Sequence, residues 1–300
     1  MQSEPAGPVA EHAPLVSVIV PAFNEEGAVA EDLGAIKQVL ESAGLRYELM
    51  VVDDGSTDGT AEQVRAVEDV VLHQHATNRG YGAALKTGIR HAHGDIIVIT
   101  DADGTYPAEV IPDLVADVAE CDMAVGARTG EVVQVPLLRK PAKWFITRLA
   151  SYLSETRIPD LNSGLRAFRR RAVMPFFGML PSGFSFTTTI TLAMLCNGLD
   201  VRFRPIDYRQ RTGRSKIRPL QDTYNFILLI VRTICYFNPL KVFVPLASIV
   251  FLGGLVKLIV NVAMAHRVAS TEVLLIVAAV QLAMTGLVAD AVASSRAPAE

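Results

Sequence analysis

From Leu15 to about Val125 the chain repeats one pattern, a short aliphatic run followed by a segment with the spacing of an amphipathic helix. The aliphatic runs include LVSVIVPAF, YELMVVDD, VVLHQ and DIIVITDAD, and the helical segments include GAALKTGIRHA and PAEVIPDLVADVA. Near-continuous apolar strands that alternate with helices predict a parallel sheet covered on both faces. The sequence therefore predicts an α/β fold with a mostly parallel sheet, whose ligands bind beyond the carboxyl ends of the strands.

Three of the predicted strands end in acidic or turn-forming residues, in PAFNEE, VDDGSTDGT and TDADGTYP. In the last of these an apolar run stops on Asp101 and Asp103, and the alternate spacing puts both side chains on one face of an extended chain. Two like charges raise each other's pKa unless a cation lies between them. Carboxylate oxygens that share a cation with water and a substrate phosphate are typical of a divalent-metal site. The pair therefore predicts such a site.

Other interpretations of the pair remain open. The haloacid-dehalogenase phosphatases also place Asp-x-Asp-Gly-Thr after an apolar run, with Asp101 as nucleophile and Asp103 as general acid. That family needs a second acidic pair on a later strand end, and no strand-like run downstream of Thr105 ends in paired aspartates. Alternatively, the aspartates only cap the helix that starts at Pro107. An EF-hand is excluded, because the twelfth position of the loop is Pro112 instead of glutamate.

The C-terminal part is much more apolar than the rest, in a chain with a mean hydropathy of +0.32. Two runs, Val242–Ala265 and Val273 to about Ala289, approach the roughly 20 residues that span a bilayer. Before them, YNFILLIVRTICYF (Tyr224–Phe237) is apolar but interrupted by Arg232, which predicts a helix lying at a membrane surface. The alternative is a helical hairpin buried in a soluble protein.

The net charge of −3 argues against a nucleic-acid-binding protein. Seven basic residues and one acidic residue lie between Arg202 and Arg218, before the first apolar run, whereas the loop between the runs is nearly neutral. By the positive-inside rule this places the large domain in the cytoplasm, at the plasma (inner) membrane. The predicted organisation is a disordered lead-in (1–14), a catalytic domain (15–218), a juxtamembrane amphipathic helix (219–240), two transmembrane helices (241–293) and a tail (294–300).

In this order and spacing, VSVIVPAFNEE, VVDDGSTDGT, NRGYGAALKTGI and GDIIVITDADGTYP resemble the family-2 glycosyltransferases, over about Leu15 to Ile217. The further segments VGAR, DLNSGLRAFRR and RTGRSKI, followed by membrane helices, resemble the polyprenol-phosphate sugar synthases, the group of the dolichol-phosphate mannose and glucose synthases. The resemblance implies a GT-A fold, which is a Rossmann-like α/β domain. It also implies a nucleotide-sugar donor, Mg²⁺ or Mn²⁺ and a polyprenyl phosphate acceptor.

The resemblance also implies a role for each matching residue. Nucleotide-sugar contacts fall on Pro21, Phe23, Glu25, Asp53, Asp54, Asp101, Arg211 and Lys216. Metal ligands fall on Asp101, Asp103 and Thr105, where Thr105 replaces the glutamine of relatives with DADLQ. The catalytic residues are Asp101, Asp103 and Arg128, and the lipid-phosphate contacts are Arg128, Arg139, Lys140 and Lys143.

An absence of acids in the sequence supports the acceptor that the resemblance implies. A sugar hydroxyl needs a general base, but no Asp or Glu lies between Arg171 and Asp200. A phosphate monoester is largely dianionic at neutral pH and needs none. Together with the membrane helices, the resemblance predicts an inverting transfer of a hexosyl group from a UDP- or GDP-sugar to a polyprenyl phosphate at the cytoplasmic membrane face. The alternatives are a saccharide or protein acceptor, or a non-catalytic partner with a relic nucleotide site. Lys257 and Asn261 in the first apolar run indicate a possible homo-oligomer.

Overall fold

The computed structural model describes residues 14–129, 148, 150–152, 155–183, 185–208, 219–265 and 268–295. The predicted lead-in and most of the predicted tail lie outside these ranges.

The described part of the catalytic region is built on one seven-stranded sheet. Its strands are β1 (Val16–Ala22), β2 (Tyr47–Asp53), β3 (Val70–Gln74), β4 (Ile96–Ile99), β5 (Met123–Ala127), β6 (Arg166–Arg169) and β7 (Val201–Pro205). Their order is β3-β2-β1-β4-β6-β5-β7, and β6 runs antiparallel to both of its neighbours while the other pairs are parallel. The predicted parallel sheet is therefore present, with one reversed strand in the half where the sequence pattern breaks up.

Helices cover both faces of the sheet and continue into the C-terminal part. They are α1 (Val29–Ser42), α2 (Thr60–Arg65), α3 (Tyr81–His91), α4 (Ile111–Asp117), α5 (Arg170–Val173), α6 (Phe186–Cys196), α7 (Pro219–Phe237), α8 (Leu240–Ala265) and α9 (Ser270–Ser294). Two 3₁₀ turns, Ala108–Val110 and Met174–Met179, precede α4 and follow α5.

The central strand β1 shows why the apolar runs are nearly continuous. All seven of its residues are buried, and it pairs with β2 on one side and β4 on the other. Val18 joins the apolar cluster that contains Leu33 of α1, whereas Ile19 joins the cluster that contains Leu85 of α3. Successive side chains of a strand point to opposite faces, so a strand covered by helices on both faces has to be apolar at every position.

The strand register brings the acidic strand ends to one edge. Ala22 at the end of β1 pairs with Asp53 at the end of β2, and Asp53 in turn pairs with Gln74 at the end of β3. On the other side of β1, Ile19 pairs with Ile99, so β4 ends two residues before Asp101. Because these strands are parallel, their carboxyl ends meet at the same edge of the sheet.

Helix α7 packs on the catalytic domain through its apolar face. Ile230 and Ile234 are fully buried and share an apolar cluster with Leu192 of α6 and with Ile158 and Leu161 of the loop before β6. We predicted a helix lying on a membrane surface; in the structure, Ile230 and Ile234 of this helix pack on the catalytic domain.

The opposite face of α7 carries a stripe of exposed residues. Leu228 and Tyr236 are large exposed apolar or aromatic residues, and Arg232 lies between them at the same four-residue spacing. Among the side chains of α7 that the structure describes, from residue 228 onward, this mixed stripe remains available to a membrane surface.

Helices α8 and α9 form an apolar hairpin that is not hidden inside the protein. The segments Leu240–Met264 and Ser270–Ser294 have 25 residues each and mean hydropathies of 2.3 and 2.1, and only 11% and 17% of their most apolar windows are buried. Both helices are long and apolar enough to cross a membrane. The buried hairpin of a soluble protein is therefore not what the structure shows, and the second span is longer than the predicted Val273–Ala289.

The polar residues of the hairpin pair within one chain. The Nζ of Lys257 donates to the hydroxyl of Thr271 at 2.9 Å, and the Asn261 amide donates to the Glu272 carboxylate. These contacts give no support to the idea that Lys257 and Asn261 serve to pack subunits together.

The docking of α7 can be tested with Ile234→Ala. Removal of a fully buried isoleucine leaves a cavity, so we expect the free energy of unfolding to fall by about 2–5 kcal/mol. Leu228→Ala on the exposed face of the same helix is the control, with an expected change within about 0.5 kcal/mol. Denaturation of both detergent-solubilised variants measures this, and equal losses would contradict the packing described above.

Candidate active site

The loops that follow β1 and β2 are joined by reciprocal hydrogen bonds. The amide of Asn24 donates to the Ser56 hydroxyl at 2.9 Å, and the amide of Thr57 donates to Asn24 Oδ1 at 2.9 Å. The amide of Glu25 donates to the Thr60 hydroxyl, also at 2.9 Å. The segments PAFNEE and VDDGSTDGT thus form one connected rim above the strand ends, as the register requires.

Asp53 lies at the base of this rim. Its carboxylate is 1% exposed and accepts hydrogen bonds from the Ser56 amide at 2.9 Å and from Gln74 Nε2 at 3.0 Å. Phe23 is 42% exposed at the same rim, whereas Pro21 is buried within β1. Asp53 and Phe23 therefore offer an oriented acceptor and an exposed aromatic face at one edge.

Asp54, unlike Asp53, binds the backbone of the turn before α3. It accepts hydrogen bonds from the amides of Arg79 at 2.9 Å and Gly80 at 2.7 Å, and it contacts His75 Nδ1 at 2.6 Å. Gly80 has φ 99°, a backbone conformation that favours glycine, and it caps the start of α3. Asp54 therefore holds the turn that leads into α3, and sequence reasoning did not identify His75 as its partner.

Asp101 is supported by a buried phenol. The Tyr81 hydroxyl donates to Asp101 Oδ1 at 3.0 Å. Burial, and then the charge of Asp101, raise the pKa of Tyr81 well above its ordinary value, so the phenol keeps the proton that it donates. The sequence predicts a helix over GAALKTGIRHA; α3 begins at Tyr81, and the side chain of Tyr81 also orients a predicted metal ligand.

Asp103 is oriented by the residues that follow it. The hydroxyl of Thr105 donates to Asp103 Oδ1 at 2.5 Å, and the Thr105 amide donates to the same oxygen at 3.2 Å. Thr105 is 1% exposed. Gly104, with φ 67°, turns the chain between them, and its amide donates to Asp32 of α1 at 2.5 Å. The structure thus places the predicted third metal ligand against the second.

The DLNSG segment packs directly against the carboxylate of Asp101. A Cβ atom on Gly164 would lie 2.7 Å from Asp101 Oδ2, and the Gly164 amide donates to the Tyr106 hydroxyl at 2.7 Å. Burial, and then the charge of Asp101, raise the pKa of Tyr106 to about 12, so this phenol is also neutral. Only glycine allows so close an approach of backbone to carboxylate.

Arg128 is held by a partner that sequence reasoning missed. Its Nε and Nη2 donate to the two oxygens of Asp160 at 2.7 and 3.0 Å, and its backbone amide donates to Asp160 Oδ2 at 3.1 Å. The guanidinium also lies over the Tyr208 ring, 5.3 Å from its centroid. Burial opposes the charge of Asp160, but the hydrogen bonds from Arg128 outweigh it and hold the pKa of Asp160 below its ordinary value. The sequence feature that could have identified this partner is Asp160, the acid at the start of DLNSG.

The remaining basic residues that we predicted at the site, Arg139, Lys140, Lys143, Arg211 and Lys216, lie outside the described residues. Their roles stay predictions.

The donor set fits a divalent ion that is shared with a substrate. Asp101 and Asp103 supply hard carboxylate oxygens, which Mg²⁺ and Mn²⁺ prefer. No group of three or more His, Cys, Asp or Glu side chains able to hold a metal occurs in the part of the chain that the structure describes. Two carboxylates fit an ion that takes its other ligands from water and phosphate, and they do not make a closed protein cage.

Comparison with known proteins bears on the class of the protein. Residues 17–177 match the family model described as "Glycosyl transferase family 2", and residues 238–295 match "GtrB C-terminal hairpin". The dolichyl-phosphate hexose transferase of Haloferax volcanii is 32% identical over 208 residues, which cover 68% of this chain and 87% of that protein. The low-salt glycan biosynthesis hexosyltransferase Agl6 of the same organism is 30% identical over 221 residues. That match covers 72% of this chain but only 52% of Agl6.

The fold also has solved counterparts. Glucosyl-3-phosphoglycerate synthase from Mycobacterium tuberculosis, crystallised with Mn²⁺ and UDP-glucose, superposes with a TM-score of 0.58 at 20% sequence identity. The match covers 77% of this chain and 84% of that one.

The sheet and its acidic edge thus define a GT-A-like α/β domain, followed by two long apolar helices, as predicted. The chain belongs to glycosyl transferase family 2 and is a glycosyltransferase. The phosphatase alternative is excluded with this assignment.

The close approach of Gly164 to Asp101 can be tested with Gly164→Ala. Because the added methyl group would overlap Asp101 Oδ2, we expect the carboxylate to move and glycosyl transfer to fall more than about tenfold. Gly178→Ala is the matched control, since a Cβ there has no neighbour within 4 Å. Initial rates of both variants measure the effect, and equal rates would contradict the described contact.

The Arg128–Asp160 pair makes stability depend on pH. A carboxyl group whose pKa is lower in the folded state stabilises the fold above its unfolded pKa of about 4, and this is lost as pH falls through the folded value. Asp160→Asn should therefore lower the free energy of unfolding by about 3 kcal/mol at pH 7 and flatten the loss of stability below about pH 5.

Thermal denaturation between pH 3 and 8 checks this. Asp69→Asn, at a side chain that is 87% exposed, should leave the wild-type pH profile unchanged. A profile for Asp160→Asn that parallels the wild type would show that the pair does not contribute.

Proposed function

We propose that this glycosyltransferase moves a hexosyl group, with inversion, from a UDP- or GDP-sugar to a polyprenyl phosphate at the cytoplasmic face of a membrane. The observation that carries the proposal is that two oriented carboxylates and one oriented arginine lie at the same sheet edge. Asp101 and Asp103 are oriented by Tyr81 and Thr105, and Arg128 is fixed by Asp160 beside the DLNSG loop. The first pair suits a metal-bound diphosphate, and the arginine suits an anionic acceptor.

The nucleotide sugar lies along the rim after β1 and β2. Asp53 accepts a hydrogen bond from the base, and the exposed ring of Phe23 lies against it, with Pro21, Glu25 and Asp54 shaping the same rim. Asp101 faces the diphosphate, and Arg211 and Lys216 bind the phosphates from the basic segment. The UDP-glucose in the solved counterpart supports a nucleotide donor at this fold.

Asp101 and Asp103 hold Mg²⁺ or Mn²⁺. Thr105 supports this site, because its hydroxyl donates a hydrogen bond that orients Asp103. When bound, the ion neutralises charge that develops on the leaving diphosphate. The Mn²⁺ in the crystals of the solved counterpart supports a divalent metal.

The acceptor phosphate needs a cationic site and no general base. Arg128 binds it, and Arg139, Lys140 and Lys143 add positive charge. One phosphate oxygen attacks the anomeric carbon from the side opposite the diphosphate, so a new C–O bond forms while the bond to the diphosphate breaks. Because the attacking oxygen already carries negative charge, no proton has to be removed. The polar residues of α6 include Thr187, Thr188 and Thr189, and the helix contains no carboxylate that could act as a general base.

The apolar hairpin brings this chemistry to the lipid. Helices α8 and α9 anchor the chain, and α7 holds the catalytic domain beside the bilayer. The basic segment before α8 favours a cytoplasmic domain at the plasma (inner) membrane. The name of the dolichyl-phosphate hexose transferase supports a lipid-phosphate acceptor.

The test is a transfer assay with purified full-length protein in detergent. Polyprenyl phosphate, Mg²⁺ or Mn²⁺ and a panel of radiolabelled UDP- and GDP-sugars are supplied, and label extracted into organic solvent is counted. We expect label from one donor, lost with EDTA and reduced more than about 100-fold by Asp103→Asn, since even residues that only support metal ligands cost 10–100-fold.

Asp69→Asn, at an exposed position, should retain the wild-type rate. Organic-phase label that resists EDTA and Asp103→Asn would contradict the metal site. No label from any donor, with nucleotide binding intact, would overturn the lipid-phosphate acceptor in favour of a saccharide or protein acceptor.

A further inference from the structure

Arg166 is a fully buried cation in the middle of the catalytic domain. It opens β6 between β4 and β5, where it pairs with Ile99 and Val125, and its side chain is 0% exposed. Its side chain does not reach the rim that carries Asp101 and Asp103, because no part of it is exposed.

The guanidinium of Arg166 donates hydrogen bonds to neutral groups, while the charges of Asp160 and Arg128 act on it without direct contact. Nη1 donates to the Thr187 carbonyl at 3.1 Å and to the Thr191 hydroxyl at 3.0 Å, and Nη2 donates to the Ser163 carbonyl. Nε has no hydrogen-bond partner, and no carboxylate among the described residues forms an ion pair with this side chain.

Such a charge opposes folding. A buried ion without a paired counter-charge loses its hydration, and hydrogen bonds to carbonyl and hydroxyl oxygens offset this only in part. Burial lowers the pKa of Arg166 to about 10, which still leaves the group protonated at neutral pH. The domain therefore keeps a positive charge in its interior at a cost to stability.

The position of the charge links it to the rim. Ser163, whose carbonyl Arg166 binds, directly precedes Gly164, which packs on Asp101 Oδ2. The Arg166 guanidinium is thus one residue removed from the backbone that packs on Asp101, in the segment from Asp160 to Gly164.

We propose that Arg166 is a positioning residue for the anionic substrates, whose fixed positive charge behind the rim strengthens the binding of the nucleotide diphosphate. The inference rests on the proposed function, because it takes the donor to be a nucleotide sugar. Arg166 does not touch the substrate, since no part of its side chain reaches solvent. It acts through the field of a charge in a medium of low dielectric, where screening by salt is weak.

A purely structural role of Arg166 would require its hydrogen-bond donors but not its positive charge. Hydrogen bonds to the Ser163 and Thr187 carbonyls need donors but no charge, and glutamine supplies two. Lysine keeps the charge and loses the planar fork of donors. Arg166→Gln and Arg166→Lys therefore separate the charge from the hydrogen bonds.

The experiment uses full-length protein in detergent and measures the Kd of UDP and of GDP with Mg²⁺, together with the thermal midpoint of each variant. We expect Arg166→Gln to weaken binding of the recognised nucleotide about tenfold, and Arg166→Lys to stay within about threefold of the wild type. Arg169→Gln is the matched control at the other end of β6, where Arg169 donates to the Ala119 and Cys121 carbonyls, and its Kd should not change.

Each outcome decides the inference. Wild-type affinity in Arg166→Gln overturns it, as does a loss of affinity in both variants that follows their loss of thermal stability. If Arg166→Gln does not fold, Arg166→Lys decides, with retained affinity supporting the inference and a tenfold loss overturning it. A wild-type protein that binds neither UDP nor GDP overturns the proposed donor and this inference together, whereas wild-type binding with an unaffected Arg166→Gln overturns the inference alone.

Discussion

Mutual repulsion among carboxylates at one edge of a parallel sheet is the constraint that organises this domain. The parallel register brings Asp53, Asp54, Asp101 and Asp103 to that edge, and each carboxylate is met by donors. The donors include backbone amides, the Gln74 side-chain amide, a threonine hydroxyl and a phenol whose pKa is raised by burial and by Asp101, and His75 contacts Asp54. These groups orient the carboxylate oxygens at the edge, which are the ligands that a divalent cation prefers.

The two arginines near this edge, Arg128 and Arg166, differ in whether a carboxylate pairs with them. Arg128 is bound at both ends of its fork by Asp160, which fixes its plane while Tyr208 covers one face. Arg166 has no such partner and is deeper in the domain. A paired arginine at the surface of the site suits direct contact with a phosphate, whereas an unpaired arginine behind it suits a longer-range contribution. The loop from Asp160 to Gly164 connects the two.

Much of this architecture could be predicted from the sequence, because strongly periodic segments determine their own type. The apolar run of β1 predicted a strand, and the acids that end β2 and follow β4 predicted the sheet edge at which the structure brings these carboxylates together. The antiparallel strand β6 was not predicted, since four residues, RAFR, carry too short a pattern. Partners that depend on tertiary contact were also missed. Asp160, His75 and Tyr81 lie 32, 21 and 20 residues from the side chains they contact, which no local pattern reveals.

The same reasoning explains why α7 was only half understood. Its sequence shows an amphipathic helix, but amphipathicity does not tell a membrane surface from a protein surface. In the structure, the face with Ile230 and Ile234 packs against α6 and against the loop that carries Asp160. The helix that precedes the anchor therefore packs against the loop that fixes Arg128, and Lys241 at the start of α8 adds a 3.0 Å ion pair to Glu155 of the same region. An exposed ion pair contributes little by itself, so the apolar cluster is what ties the position of α7 and α8 to the loop that fixes Arg128.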